Sequence, residues 1–158
     1  MREIRRKDRV LNELRAKELL AEGEFGFLAM VNADGGGYGV PLSYAVEEGV
    51  IYFHCAPEGH KLDNLAVDNR VTFTVVGPTR VIPGQFTSAY ECAMVFGRIE
   101  RALPEAERLR ALRLLVAKYS AGWEEVAEKY IKGSFARTEI LKLHMEHISA
   151  KTKKDPGY

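Results

Sequence analysis

His54, Cys55, His60 and Lys61 stand close together in one stretch of the chain, and their types suit the handling of an anion. A lysine offers three charged donors, and an imidazole exchanges a proton near neutral pH. What such groups can do together depends on the backbone between them. Ile51, Phe53 and Cys55 alternate with Tyr52 and His54, which predicts a strand over 51–55 with the two sets on opposite faces. Pro57 removes a backbone donor and Gly59 permits unusual dihedrals, so residues 56–59 break that strand. Helical spacing then begins, with Leu62, Leu65 and Ala66 on one face. A strand, a tight turn and a helix start would gather His54, His60 and Lys61 around the turn. Unpaired amides at a helix start favour an anion and nearby cations reinforce the preference, so a phosphate is the natural guest. The plainer reading stands beside this one: a solvated Lys61 and a structural His54.

Other chemistries have weaker support. A metal set from His54, Cys55 and His60, or from His144 and His147, fails on alternation, because neighbours in each strand point to opposite faces. The run Gly35-Gly36-Gly37-Tyr38-Gly39 leads into a strand and not a helix, so it reads as a hairpin tip and not a dinucleotide loop. Ser43, Ser88 and Ser134 lack the context of a nucleophile. Phe86, Tyr90 and Phe96 read as core residues, while Tyr44 and Trp123 suit either a core or the wall of a planar-ligand site.

The elements that must position these groups follow from pattern. The chain has 158 residues, 46% of them hydrophobic, which suits one domain with a sizeable core. A formal net charge of +1 gives no electrostatic case for nucleic acid or an anionic membrane. No apolar run is long enough to span a bilayer, and the charged N-terminus lacks a signal-peptide core, so a cytoplasmic protein is expected. Cys55 and Cys92 read as small buried thiols of a reducing compartment. Helix is expected over 8–22, 60–67, from Pro104 along Leu109, Leu112, Leu115, Val116 and Tyr119, and over 122–131. Six strands are expected at 25–31, 38–46, 50–55, 70–76, 89–100 and 138–149, with a loop at 77–88 and a basic disordered tail over 151–158. Hairpin connections argue a mainly β fold with peripheral helices, an antiparallel sheet closing toward a barrel.

The residues then resemble a known family. Gly39-Val40-Pro41-Leu42-Ser43-Tyr44, followed by the strand and turn through Gly59-His60-Lys61, are similar to the pyridoxamine 5′-phosphate oxidase-like FMN-binding split barrels, and most similar to the nitroimidazole-resistance type, or flavin-nucleotide-binding proteins. Arg5-Arg6-Lys7-Asp8-Arg9, Phe96-Gly97-Arg98-Ile99 and Ile148-Ser149-Ala150-Lys151 support the match, which extends over 5–151. The resemblance implies a six-stranded split barrel, a homodimer and two FMN sites at the subunit interface. It implies that Lys61, with groups near His54, Cys55 and His60, holds the cofactor phosphate, and that Val40, Pro41, Leu42 and Ser43 lie along the isoalloxazine. Small nitroaromatics are the implied substrates, with His54 donating a proton or orienting the substrate. Cys55 stands where serine is common in the family, which removes a good donor to phosphate. The short tail lacks the arginine that vitamin B6 oxidation would need. A non-catalytic flavin sensor, or a haem-handling barrel using His54 or His144, is the alternative.

Overall fold

Alternating apolar residues build the strands, and a computed structural model of the chain, describing residues 3–154, gives their arrangement. The order is a single helical turn at Lys7–Arg9, β1 (Val10–Leu11), α1 (Glu13–Glu22), β2 (Gly26–Val31), β3 (Gly37–Leu42), β4 (Ala45–Glu47), β5 (Val50–Cys55), α2 (His60–Val67), β6 (Arg70–Ile82), β7 (Thr87–Glu100), α3 (Glu105–Tyr119), α4 (Glu124–Ser134) and β8 (Glu139–Lys153). The strands form one antiparallel sheet in the order β3-β2-β6-β7-β8-β5-β4, with β1 paired to β8.

The sheet is open in its hydrogen bonding yet curls around one interior. β5 and β6 are separated by two strands, but Phe53 and Phe73 meet edge to face with ring centroids 5.0 Å apart. Leu28, Val75, Val95, Leu141 and Leu143 complete this interior, and Leu19 and Leu20 of α1 plug it. Burying these side chains is the main favourable term in folding. The opposite face of β5 is covered too. Tyr52 packs with Leu103, Ala111 and Ile140 beneath α3, so β5 is buried on both faces up to His54. This is an antiparallel split barrel with peripheral helices.

Several expected boundaries move, each for a local reason. Eight strands replace six: β1 is new, and the segment expected as one strand over 38–46 breaks at Ser43 and Tyr44 into β3 and β4. Residues 77–88 are an arm of β6 and β7 and not a loop. Pro78 is tolerated because the register shifts between Val76 and Thr79, where a missing N–H breaks no regular pair. Phe86, at the tip of that arm, is 98% exposed and is not core. Helix α1 starts at Glu13 and not at residue 8, because the Asn12 side chain accepts from the Arg15 amide and fixes the cap. β8 bulges opposite Phe96 and Gly97, where Glu146 is the extra residue, so Ile148 and Ala150 turn inward beyond it. β8 also runs through Lys153 with Thr152 buried, so the tail does not begin at 151; residues 155–158 of the expected disordered segment lie outside the described residues.

Candidate functional site

β5 delivers the first groups. Its pleat puts Ile51 and Phe53 inside the barrel, with Cys55 packed against that core, while the exposed His54 points outward. Gly59, at φ +127°, turns the chain into α2, a conformation that favours glycine, and its carbonyl accepts from the Leu62 and Asp63 amides. The earlier amides of α2 therefore have no intrahelical acceptor. Leu62 and Leu65 anchor the helix in the core, and buried Asn64 donates to Asn32 Oδ1 (2.8 Å). The His60 ring lies against Tyr38 (centroids 4.6 Å). Lys61 forms no hydrogen bond or ion pair among the described residues.

Two further groups join this turn from far along the sequence. Arg101 follows β7, and its Nη1 donates to the Leu62 carbonyl (2.9 Å), which brings a second cation to α2. Glu139 opens β8 opposite Cys55 in the ladder, and one of its carboxylate oxygens is buried without a hydrogen-bond partner among the described residues. Burial pushes the Cys55 thiol above the ordinary thiol range, and Glu139 adds to that, whereas Lys61 and Arg101 pull it down. Cys55 thus lies within the electrostatic reach of all three. It is a poor nucleophile in this setting, since the thiolate is the reactive form.

On the outer side of β5 lies a groove of about 910 Å³ between the strand end and α3 and α4. Ser43, His54, Cys55 and Ala56 line it, as do Ser134, Arg137 and Thr138. Leu112, Leu115 and Val116 of α3 and Val126, Ala127 and Ile131 of α4 form apolar walls, with Trp123 and Tyr130 also lining it. The stripe expected to bury α3 therefore serves in part as a wall of this groove.

Tyr119 fixes α3 over the break between β3 and β4. Its hydroxyl accepts from the Tyr44 amide (2.9 Å) and donates to the Glu24 carbonyl (2.6 Å), with the Tyr44 carbonyl 3.0 Å away. Tyr44 is fully buried and donates to the Leu20 carbonyl (2.6 Å), so it is core and not a ligand wall. Lys118 Nζ is buried without an acceptor among the described residues, 3.7 Å from the centre of the Tyr44 ring, and burial lowers its pKa.

The structure brings Ser43, His54 and Cys55 into the groove and sets His60 and Lys61 at the turn beside it. Val40, Pro41 and Leu42 do not share one face: Val40 and Leu42 are half-buried, and Pro41 is exposed. His144 stands on the exposed part of β8 with its Nε2 2.6 Å from Glu100 Oε2, outside the groove. Arg101, Arg137, Glu139 and Tyr119 escape the sequence reading. Only Tyr119 carried a signal, as the end of the α3 stripe.

A family model described as pyridoxamine 5′-phosphate oxidase matches residues 12–152, and the chain belongs to that family. No curated protein matches it. Solved structures do. A conserved hypothetical protein from Mycobacterium tuberculosis is 17% identical, with 99% of this chain and 94% of that one covered and a TM-score of 0.83. The FAD and heme binding protein from Mycobacterium smegmatis is 19% identical, with 94% and 75% covered and a TM-score of 0.80. A candidate 5-nitroimidazole antibiotic resistance protein from Bacteroides thetaiotaomicron is 19% identical, with 90% and 86% covered and a TM-score of 0.75. These likenesses establish the fold.

Proposed function

We propose that the protein is a flavin-binding oxidoreductase that holds FMN, acts on small nitroaromatic or related compounds, and works as a cytoplasmic homodimer. The observation that carries the reading is the juxtaposition of two features: cationic Lys61 at the start of α2, with no carboxylate partner among the described residues, and the groove ending at His54. Membership of the pyridoxamine 5′-phosphate oxidase family supports it, as does the flavin named for a structural neighbour, the FAD and heme binding protein.

The residues present fit the group. A phosphate suits the turn, where Lys61 and Arg101 bring positive charge to free helix amides. Ser43 and the groove suit the edge of a planar ring. When bound, the flavin carries the electrons. The protein's own contribution is to bind and to orient. Tyr119 holds α3 in place as a wall, and the apolar side chains of α3 and α4 offer a flat ring a nonpolar surface. His54 is exposed to the groove and has no hydrogen bond among the described residues, so its imidazole is available to give a proton to a substrate oxygen.

Outward-facing Phe27 and Val31 of β2, Phe25 before it, Val67 of α2 and Val76 of β6 support the dimer, since these apolar side chains are 45–69% exposed in the single chain. A homodimer burying on the order of 2,000 Å² is expected, and a stable monomer in light scattering at micromolar concentration would contradict it. The test of function is His54→Ala on FMN-loaded protein. Turnover of a nitro or quinone substrate should fall about 10²–10⁴-fold with flavin affinity retained. Lost affinity with unchanged turnover per bound flavin would make His54 a binding residue only.

A further inference from the structure

We infer that the groove between α3, α4 and the end of β5 selects organic acids, namely aromatic compounds that carry a carboxylate or comparable anionic group. This names the substrate class of the site proposed above and rests on that reading.

The groove is chemically lopsided. Val116, Val126 and Ile131 offer only carbon, and Trp123 and Tyr130, 66% and 76% exposed, offer aromatic faces. Apolar and aromatic walls gain by covering a flat apolar body. The volume of about 910 Å³ leaves room for more than one ring.

Among the described residues, Arg137 is the only arginine or lysine in the lining, and no aspartate or glutamate lines the groove. Its guanidinium forms no hydrogen bond or ion pair among the described residues, whereas Arg6, Arg15, Arg70, Arg98, Arg110 and Arg113 all pair with carboxylates. The segment that carries it is held in place. Arg108 donates through Nη2 to the Phe135 carbonyl (3.0 Å) and the Thr138 carbonyl (2.6 Å), and its guanidinium lies 4.2 Å from the centre of the Phe135 ring. Arg137 therefore sits between two anchored residues, with a planar fork of donors unused. That fork matches a carboxylate in two-point geometry. A ligand with an apolar aromatic body and one acid group uses both the walls and the guanidinium, while a neutral analogue, which the hydroxyls of Ser43, Ser120, Ser134 and Thr138 can still meet, leaves the charged fork of Arg137 without a counter-charge.

The test is calorimetric titration of FMN-loaded protein at neutral pH with 4-nitrobenzoate and with 4-nitrobenzamide, alongside quenching of Trp123, the chain's only tryptophan. The acid should bind about tenfold or more tightly than the amide, the lower range for a charge-assisted contact. Arg137→Gln should abolish that preference and leave the amide unchanged, and Arg137→Lys should keep part of it. Arg137 is exposed and its side chain makes no hydrogen bond or ion pair among the described residues, so the fold should survive both changes. Equal affinities for acid and amide, binding of neither, or a preference that persists in Arg137→Gln would overturn the inference, as would release of FMN by the acid. FMN uptake is measured on the same samples. A protein that takes up no FMN would overturn the flavin reading, whereas normal uptake without acid preference would overturn the groove assignment alone.

Discussion

Tyr119→Phe removes one oxygen from the clasp that holds α3 over β3 and β4. The Tyr44 amide loses its acceptor and the Glu24 carbonyl loses a donor. A net intramolecular hydrogen bond is worth about 0.5–1.5 kcal/mol, and a buried group left unpaired costs about 1–3 kcal/mol. Tyr119 is 39% exposed, so water can reach the Glu24 carbonyl, while the Tyr44 amide belongs to a fully buried residue. The loss should therefore be about 2 kcal/mol, dominated by the orphaned amide. For a domain of this size each kcal/mol moves the melting temperature by about 2–4 °C, so a fall of about 4–8 °C is expected at fixed protein concentration. Tyr130→Phe is the control, because its hydroxyl makes no hydrogen bond among the described residues, and it should melt within about 2 °C of the parent. Equal melting temperatures for Tyr119→Phe and the parent would refute the reasoning. Since α3 walls the groove, affinity for groove ligands should fall in the same variant.

Two further outcomes follow from particular contacts. Gly97→Ala would place a Cβ 1.8 Å from the His144 carbonyl oxygen at the β7–β8 bulge, so it should destabilise by about 3 kcal/mol or more, while Gly84→Ala, which meets nothing within 4 Å, should be close to neutral; urea midpoints compare them. Tyr52 donates to Glu107 Oε1 (2.8 Å) and accepts from Arg110 Nη2 (3.0 Å), and burial, then Glu107, pushes its phenol up to about 12. A raised folded value means that this contribution is whole below the ordinary value of 10.0 and is lost as pH rises from there through about 12. The stability advantage of the parent over Tyr52→Phe should therefore shrink across that window in urea unfolding. A constant difference would contradict the assignment.

The turn at the centre of the site was legible because its signals are local. Alternation over 51–55 marked β5, and Pro57 and Gly59 marked its end. The β6–β7 arm was not, because Pro78, Pro83 and Gly84 read as loop residues, and only the opposite strand shows that a bulge absorbs Pro78. The bulge at Glu146 is hidden for the same reason: one extra residue in β8 has meaning only against β7. Of the site, His54, Cys55, His60 and Lys61 were readable as neighbours in sequence. Arg101 reaches α2 because the end of β7 pairs beside the start of β6, and Glu139 faces Cys55 through the β5–β8 pairing, so both depend on topology that periodicity does not carry.

The central claim is that the start of α2 receives a flavin phosphate, and Lys61→Ala tests it most directly. A hydrogen bond to a charged group contributes about 1.5–3 kcal/mol, so removing the ammonium should weaken FMN binding by about tenfold to a hundredfold. Riboflavin shares the ring and lacks the phosphate, so its affinity should stay the same. Titration of both ligands by flavin fluorescence on the parent and the variant reads the two losses side by side. A loss confined to FMN is the predicted result. Equal losses for FMN and riboflavin, or no loss for FMN, would contradict the account.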